Sequence, residues 1–393
     1  MNLDDLLQQE LSDRRQQSLY RQRKIIETPQ QIHLKINGRS LLSFCSNDYL
    51  GLASHPDIAA ALKKGVDRWG VGSGAAHLVS GHTAVHHELE EALAGYTGRS
   101  RALLFSTGYM ANLGVVNALM GKGDLVVEDR LNHASLIDAA LLSSALSGSV
   151  FKRYPHNNVE RLELWLAESE PQARKLVISD SVFSMDGVLA DVPELVRVCQ
   201  DYDAWLMLDD AHGFGLLGEQ GAGVAQEFHL DQQQLPVYMA TLGKAMGVAG
   251  AFVTGSDALI ETLIQKARSF IYTTAMPPAL ASALLVSLKI ARQENWRREK
   301  LKALIAQFRS GCEQLGLKLL DSMTAIQPVL TGSIKNTVQL SQALEEQGIL
   351  VTAIRPPTVP KGTSRLRVTL SAQHSEQDIE RLLNAFADLG MGA

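Results

Sequence analysis

Five short apolar runs, RALLF, DLVVED, KLVISD, AWLMLDD and VYMATLG, recur between residues 101 and 243, and longer helix-period segments separate them. Each run is the length of a strand, and none shows the alternation expected of a strand with one wet face. Such runs suit a parallel sheet covered by helices on both faces. Alternation of strands and helices from about residue 55 to 255 therefore predicts an α/β domain with an open, mostly parallel sheet. Several runs close on a polar or acidic residue, and sheets of this kind collect their functional groups beyond the carboxyl ends of the strands.

The flanks read differently. Leu3, Leu6, Leu7 and Leu11 fall at helical spacing, so an amphipathic helix is expected to pack by its leucine side before the basic stretch RRQQSLYRQRK. Ile32, Leu34 and Ile36 alternate, and Asn37-Gly38 supplies the positive-φ pair of a two-residue hairpin turn. Beyond about residue 290, LKALIAQFRSGCEQLG, SQALEEQG, ILVTAIR, SRLRVTL and QDIERLLNAFADLG predict a smaller α+β domain. The expected division is an arm and hairpin over 1–50, a large domain over 51–290 and a small C-terminal domain over 291–393. A chain of 393 residues exceeds what one core usually supports.

Composition narrows the function. With 46% apolar residues, 20% charged residues and a formal charge of -5, the chain has no polybasic footprint, and nucleic acid is not an expected partner. Cys45, Cys199 and Cys312 are scattered, without CxxC spacing, and are expected as buried thiols in a reducing cytoplasm. No leader-like apolar segment occurs, and no run approaches the ~18 apolar residues of a membrane span. GVGSGA over 70–75 matches a dinucleotide-loop pattern but follows a helical run, so that reading is set aside. His82 and His86 stand four apart without HExxH, and no metal is expected.

Lys244, in TLGKAMG, is the sole lysine between Lys175 and Lys266 and sits among small and apolar residues. A desolvated lysine becomes nucleophilic and is the residue type that forms a Schiff base with an aldehyde. In AWLMLDDAHG, Asp209 extends the apolar row of Trp205 and Met207, so its carboxylate needs a cationic partner such as a protonated pyridine. His212 stands three residues on, within reach of a phenolic oxygen on the same ring. FSTGYMANLG predicts a strand, a turn at Gly108-Tyr109 and a helix start, a cup for phosphate. His133, past another strand end, lies where an imidazole can stack on a flat cofactor.

Taken together, GY at 108, His133, SVFSMDG at 181–187, DDAHG at 209–213 and TLGKAMG resemble the α-oxoamine synthases. These are pyridoxal 5'-phosphate enzymes of the aspartate-aminotransferase fold (fold type I). The resemblance implies that Lys244 bonds the cofactor aldehyde, that Asp209 pairs with the pyridinium, and that His212 and Ser184 approach its O3' side. It implies also that His133 stacks on the ring, while Thr241, Gly108 and Tyr109 hold the phosphate. In that family the site lies at a homodimer interface, so Thr273 and Thr274 are expected to reach the neighbouring subunit's phosphate. Within the family, SNDYLGL at 46–52 and AIRPPTVPKGTSRLRVTL at 353–370 look most like members that condense L-alanine with pimeloyl-CoA or pimeloyl acyl carrier protein, at the start of biotin-ring assembly. By that match Arg367 takes the amino-acid carboxylate, Arg21 and Thr358 face the acyl substrate, and Asn47 and His133 join the substrate side. Arg355 is a further contributor. Two alternatives stay open: a relative using glycine and another acyl-CoA, and a partner subunit without chemistry.

Overall fold

Helix α1 (Leu3–Gln16) starts the chain in the computed structural model, which describes residues 2–17 and 19–392. Asn2 caps it by accepting from the Asp5 N–H at 2.9 Å, and Asp4, Asp5, Arg14 and Arg15 complement the helix dipole. The leucine side does not pack as expected: Leu3, Leu6 and Leu7 are exposed and α1 buries no residue. Capping and charge, not burial, account for this helix.

The hairpin of β1 (His33–Ile36) and β2 (Arg39–Ser43) forms as its turn dictates, with Asn37 at φ 50° and Gly38 at φ 74°. Ile36 pairs with Arg39, which leaves two turn residues and points Leu34 and Ile36 inward.

Residues 47–302 form one compact unit. Its helices include α2 (Pro56–Trp69), α3 (Ala84–Thr97), α4 (Gly108–Leu119) and α5 (Ala134–Ser147). Its sheet contains β3 (Arg101–Phe105), β4 (Leu125–Asp129), β5 (Val150–Tyr154), β6 (Lys175–Asp180), β7 (Trp205–Asp209), β8 (Val237–Thr241) and β9 (Ala251–Gly255), ordered β3-β9-β8-β7-β6-β4-β5. Only β9 runs against its neighbours, between β3 and β8. Ala111 and Val115 of α4 and Leu136 and Ala140 of α5 recur at i, i+4. They pack with Val126, Ile178, Met207 and Met239 of the sheet in one buried core.

The other unit gathers 1–46 with 303–393, so the arm and hairpin do not stand as a separate segment. It holds β10 (Ile326–Gly332), β11 (Ile349–Leu350), β12 (Thr352–Ile354) and β13 (Ser364–Thr369). A two-stranded hairpin leaves an open edge and an uncovered apolar face. Here β2 pairs parallel with β11, and Leu350 covers Leu34, Ile36 and Leu41. His374 adds a bond from Nε2 to the Ser43 carbonyl at 3.0 Å and stacks on Phe44. The dividing point between the units falls inside the helix Trp296–Gln314, later than the 290 expected.

Cys199 and Cys312 are buried thiols whose pKa values burial pushes up to about 12. Among the described residues no helix is long and apolar enough to cross a membrane.

Candidate active site

Because β3 and β8 both oppose β9, and β4, β6, β7 and β8 run parallel, the carboxyl ends of these five strands share one edge of the sheet. Each delivers a polar group there. Strand β3 leads through Thr107 into α4, β4 leads to His133 at the start of α5, and β6 ends on Asp180. Strand β7 ends on Asp209, and β8 ends on Thr241, three residues before Lys244.

The Lys244 amine lies 2.9 Å from His212 Nε2, and His212 Nδ1 lies 2.5 Å from the Tyr49 hydroxyl. Tyr49 donates to Asn47 Oδ1 at 3.2 Å. The Tyr49 hydroxyl thus lies between Asn47 Oδ1 and His212 Nδ1, and His212 Nε2 faces the Lys244 amine. Tyr49 is fully buried and His212 nearly so, which fixes the imidazole against the amine.

Asp209, 4% exposed, ends the β7 row as its alternation predicts. Its Oδ1 accepts from the Ala211 N–H at 3.0 Å and its Oδ2 from Asn112 Nδ2 at 2.8 Å. Asp180 accepts from the His133 backbone N–H at 2.8 Å. Burial, reinforced by the Asp209 charge, raises the Asp180 pKa well above the usual carboxylate range. Asp210 faces away into a network of Ser181, Tyr238 and the Val224 N–H, and burial lifts its pKa to about 7. His133 is exposed. Partial burial depresses its pKa, the Asp209 charge opposes that shift and the Lys244 charge reinforces it.

Where β3 passes into α4, the Thr107 side chain accepts from the Met110 N–H at 3.2 Å, and the first helical N–H groups, those of Gly108 and Tyr109, have no intrahelical acceptor. A Cβ on Gly108 would meet Thr241 Cγ2 at 2.7 Å, so only glycine lets these two elements approach. Thr241 Oγ1 is buried without a hydrogen-bond partner. The Tyr109 hydroxyl donates to Asp138 on the exposed side, so the backbone is what Tyr109 offers the cup. Ser184 sits half-buried in the turn that the Gly187 N–H closes on the Phe183 carbonyl at 2.8 Å.

Thus Lys244, His212 and Asn47 form one connected group, Asp209 and His133 another, and Gly108 abuts Thr241. Thr273 and Thr274 belong to a different segment, held through an antiparallel bridge between Thr274 and Ala76. Arg21, Arg355, Thr358 and Arg367 lie in the other unit. There Arg367 is buried on β13 with Nη1 donating to Thr369 at 2.9 Å, Arg355 donates to the Tyr20 carbonyl at 3.4 Å, and Arg21 and Thr358 are exposed. His77, His82 and His86 bring ring nitrogens within 4.8 Å of one another. His86, however, engages Thr83 through Nδ1 and the Met276 carbonyl through Nε2.

Tyr49, Asn112, Ser135 and Asp180 escape the sequence reading. Asp180 ends KLVISD as Asp209 ends its strand, so that signal was present. Asn112 and Ser135 sit within helices, and nothing in their spacing separates them from ordinary helical polar residues.

The residues fit pyridoxal 5'-phosphate: an amine for the aldehyde, a buried carboxylate for the ring nitrogen, and an unpartnered hydroxyl beside a helix start for the phosphate. A profile of the family "Aminotransferase class I and II" matches residues 39–386. A protein named 8-amino-7-oxononanoate synthase from Cellvibrio japonicus (strain Ueda107) is 56% identical over 99% of this chain and 96% of its own length. The solved serine palmitoyltransferase from S. paucimobilis, a variant with pyridoxal phosphate in its bound ligand, superposes with a TM-score of 0.92 at 28% identity, covering 99% of this chain and 98% of that one. The solved 8-amino-7-oxononanoate synthase from Francisella tularensis gives 0.77 at 29% identity over 89% and 98%. The chain belongs to the class I and II aminotransferases, and within them to the 8-amino-7-oxononanoate synthases.

Proposed function

We propose that the chain is a pyridoxal-phosphate-dependent acyltransferase that condenses L-alanine with a pimeloyl thioester, of coenzyme A or acyl carrier protein, and releases carbon dioxide and the thiol in forming 8-amino-7-oxononanoate for biotin synthesis. The observation that carries this reading is the Lys244–His212 contact at 2.9 Å on the same sheet edge as Asp209, in a chain 56% identical to a synthase of that name. Bound there, pyridoxal phosphate supplies an electron sink for charge developing at the amino acid's α-carbon.

The chain's own residues do the rest. Lys244 would hold the aldehyde end, and its amine, placed close to the amino acid's α-carbon, would serve as the base that moves the proton there. His212, locked by Tyr49, and Ser184 face the phenolic side. Asp209 keeps the ring nitrogen protonated, since its buried carboxylate is best satisfied by that cation. His133 would lie against the ring, and Thr241 with the Gly108 and Tyr109 N–H groups would bind the phosphate. Arg367 is assigned to the alanine carboxylate, Asn47 to the substrate side, and Arg21, Thr358 and Arg355 to the acyl chain. The working form is a cytoplasmic homodimer in which Thr273 and Thr274 complete the neighbour's phosphate site.

Mass spectrometry of products from alanine or glycine offered with pimeloyl-CoA, pimeloyl carrier protein, acetyl-CoA or succinyl-CoA tests this. Alanine with a pimeloyl thioester is expected to dominate, and preferential glycine turnover rejects the assignment. Lys244→Ala is expected to fold and bind cofactor noncovalently, to resist borohydride fixation, and to lose turnover. Near wild-type activity in that variant removes Lys244 from its role.

A further inference from the structure

One buried chain of hydrogen bonds has no part in the roles above. Asn112 on α4 is fully buried and uses both protons of a single nitrogen: Nδ2 donates to Asp209 Oδ2 at 2.8 Å and to Ser135 Oγ at 2.8 Å. Ser135, 1% exposed, lies 2.7 Å from His133 Nδ1 through its hydroxyl, and its backbone N–H points to the same nitrogen at 3.3 Å. The proton inventory leaves one arrangement. A carboxylate oxygen has no proton to give, so the atom of Asn112 facing it is the nitrogen. The same nitrogen has no lone pair for Ser135, so the serine hydroxyl accepts from Asn112. The Ser135 backbone N–H, which can only donate, needs the Nδ1 lone pair, so Nδ1 carries no proton and the hydroxyl sends its own proton there. Nδ1 of His133 is then an acceptor of two donors, and the imidazole proton sits on Nε2. Asn112 Oδ1, by contrast, is buried with no partner, so this side chain is oriented by what it donates and not by its own satisfaction.

We propose that Asn112 and Ser135 are positioning residues that tie the His133 ring to the Asp209 carboxylate and hold His133 as its Nε2–H tautomer. The inference rests on the reading of Asp209 and His133 as cofactor-binding groups. Its consequence is mechanical: the carboxylate under the ring nitrogen and the imidazole against the ring face are set by one rigid chain, so neither moves alone.

Side-chain 15N NMR of histidines in the holoenzyme tests this, with His133 assigned through His133→Gln. The wild type is expected to show His133 protonated at Nε2 and bare at Nδ1. Ser135→Ala and Asn112→Ala are each expected to give a mixture of tautomers, with kcat down about tenfold from the loss of one buried hydrogen bond and KM for alanine little changed. A wild-type proton on Nδ1 overturns the proposal even should both variants misfold, and so does an unchanged tautomer in either folded variant. Failure of the underlying reading appears elsewhere: Asp209→Ala with wild-type cofactor affinity removes Asp209 from the cofactor site while the tautomer result stands.

Discussion

A single carboxyl group shows how burial governs this protein's response to pH. Glu90 on α3 accepts from the Leu104 N–H at 3.0 Å, and burial raises its pKa to about 7, against the lowering effects of that bond and of Arg101. Its folded pKa lies above the unfolded one, so the native chain holds the proton longer, and the associated stability is lost as pH rises through that window. Glu90→Gln keeps an oxygen for the Leu104 N–H and cannot ionise. Its stability relative to wild type is expected to grow in its favour from about pH 4 to about pH 8, by on the order of 3 kcal/mol. Urea midpoints for both proteins at the two pH values check this, and a constant difference excludes Glu90 as the source. Legibility at this scale was uneven. Lys244 stood out because no other lysine shares its stretch, and Asp209 because it extends an apolar row. Tyr49 and Asn112 did not, because each is defined by a partner distant in sequence.

At the scale of elements, the junction of β3, α4 and β8 is a close constraint on the site. Gly108 opens α4, and the space its Cβ would need is occupied by Thr241 Cγ2. Gly108→Ala is expected to leave the helix intact, since alanine favours it, and to push Thr241 aside. Cofactor affinity, followed by fluorescence titration, is expected to fall about tenfold or more as the hydroxyl and helix start lose register. Unaltered affinity would show that these two elements do not share a ligand. Strands β3, β4, β6, β7 and β8 were readable as continuous apolar runs because both faces are covered. Strand β5, VFKRY, lies at one edge of the sheet and mixes charge with apolar residues, and β9, AFVTG, follows a glycine-rich loop that masks it.

For the whole molecule, the single chain leaves Val71, Val79 and Tyr272 between 70% and 79% exposed, together with Leu78, in the unit that carries Lys244. Exposed apolar side chains of this kind are the candidate surface for the proposed homodimer. Sedimentation is expected to give a mass double the chain's 42.8 kDa, with a melting temperature that falls on dilution. A monomer at every concentration tested would remove the shared-site arrangement. By itself the sequence determined the features that depend on near neighbours: the buried strands, the Asn37-Gly38 turn, the isolated lysine and the acidic strand end. Only the tertiary structure decided that α1 keeps Leu3, Leu6 and Leu7 exposed, that the hairpin joins residues 303–393, and that Asn112 and Ser135 link Asp209 to His133. Periodicity and turn chemistry act over a few residues, whereas hydrogen bonds and edge pairing depend on which distant segments the folded sheet brings within reach.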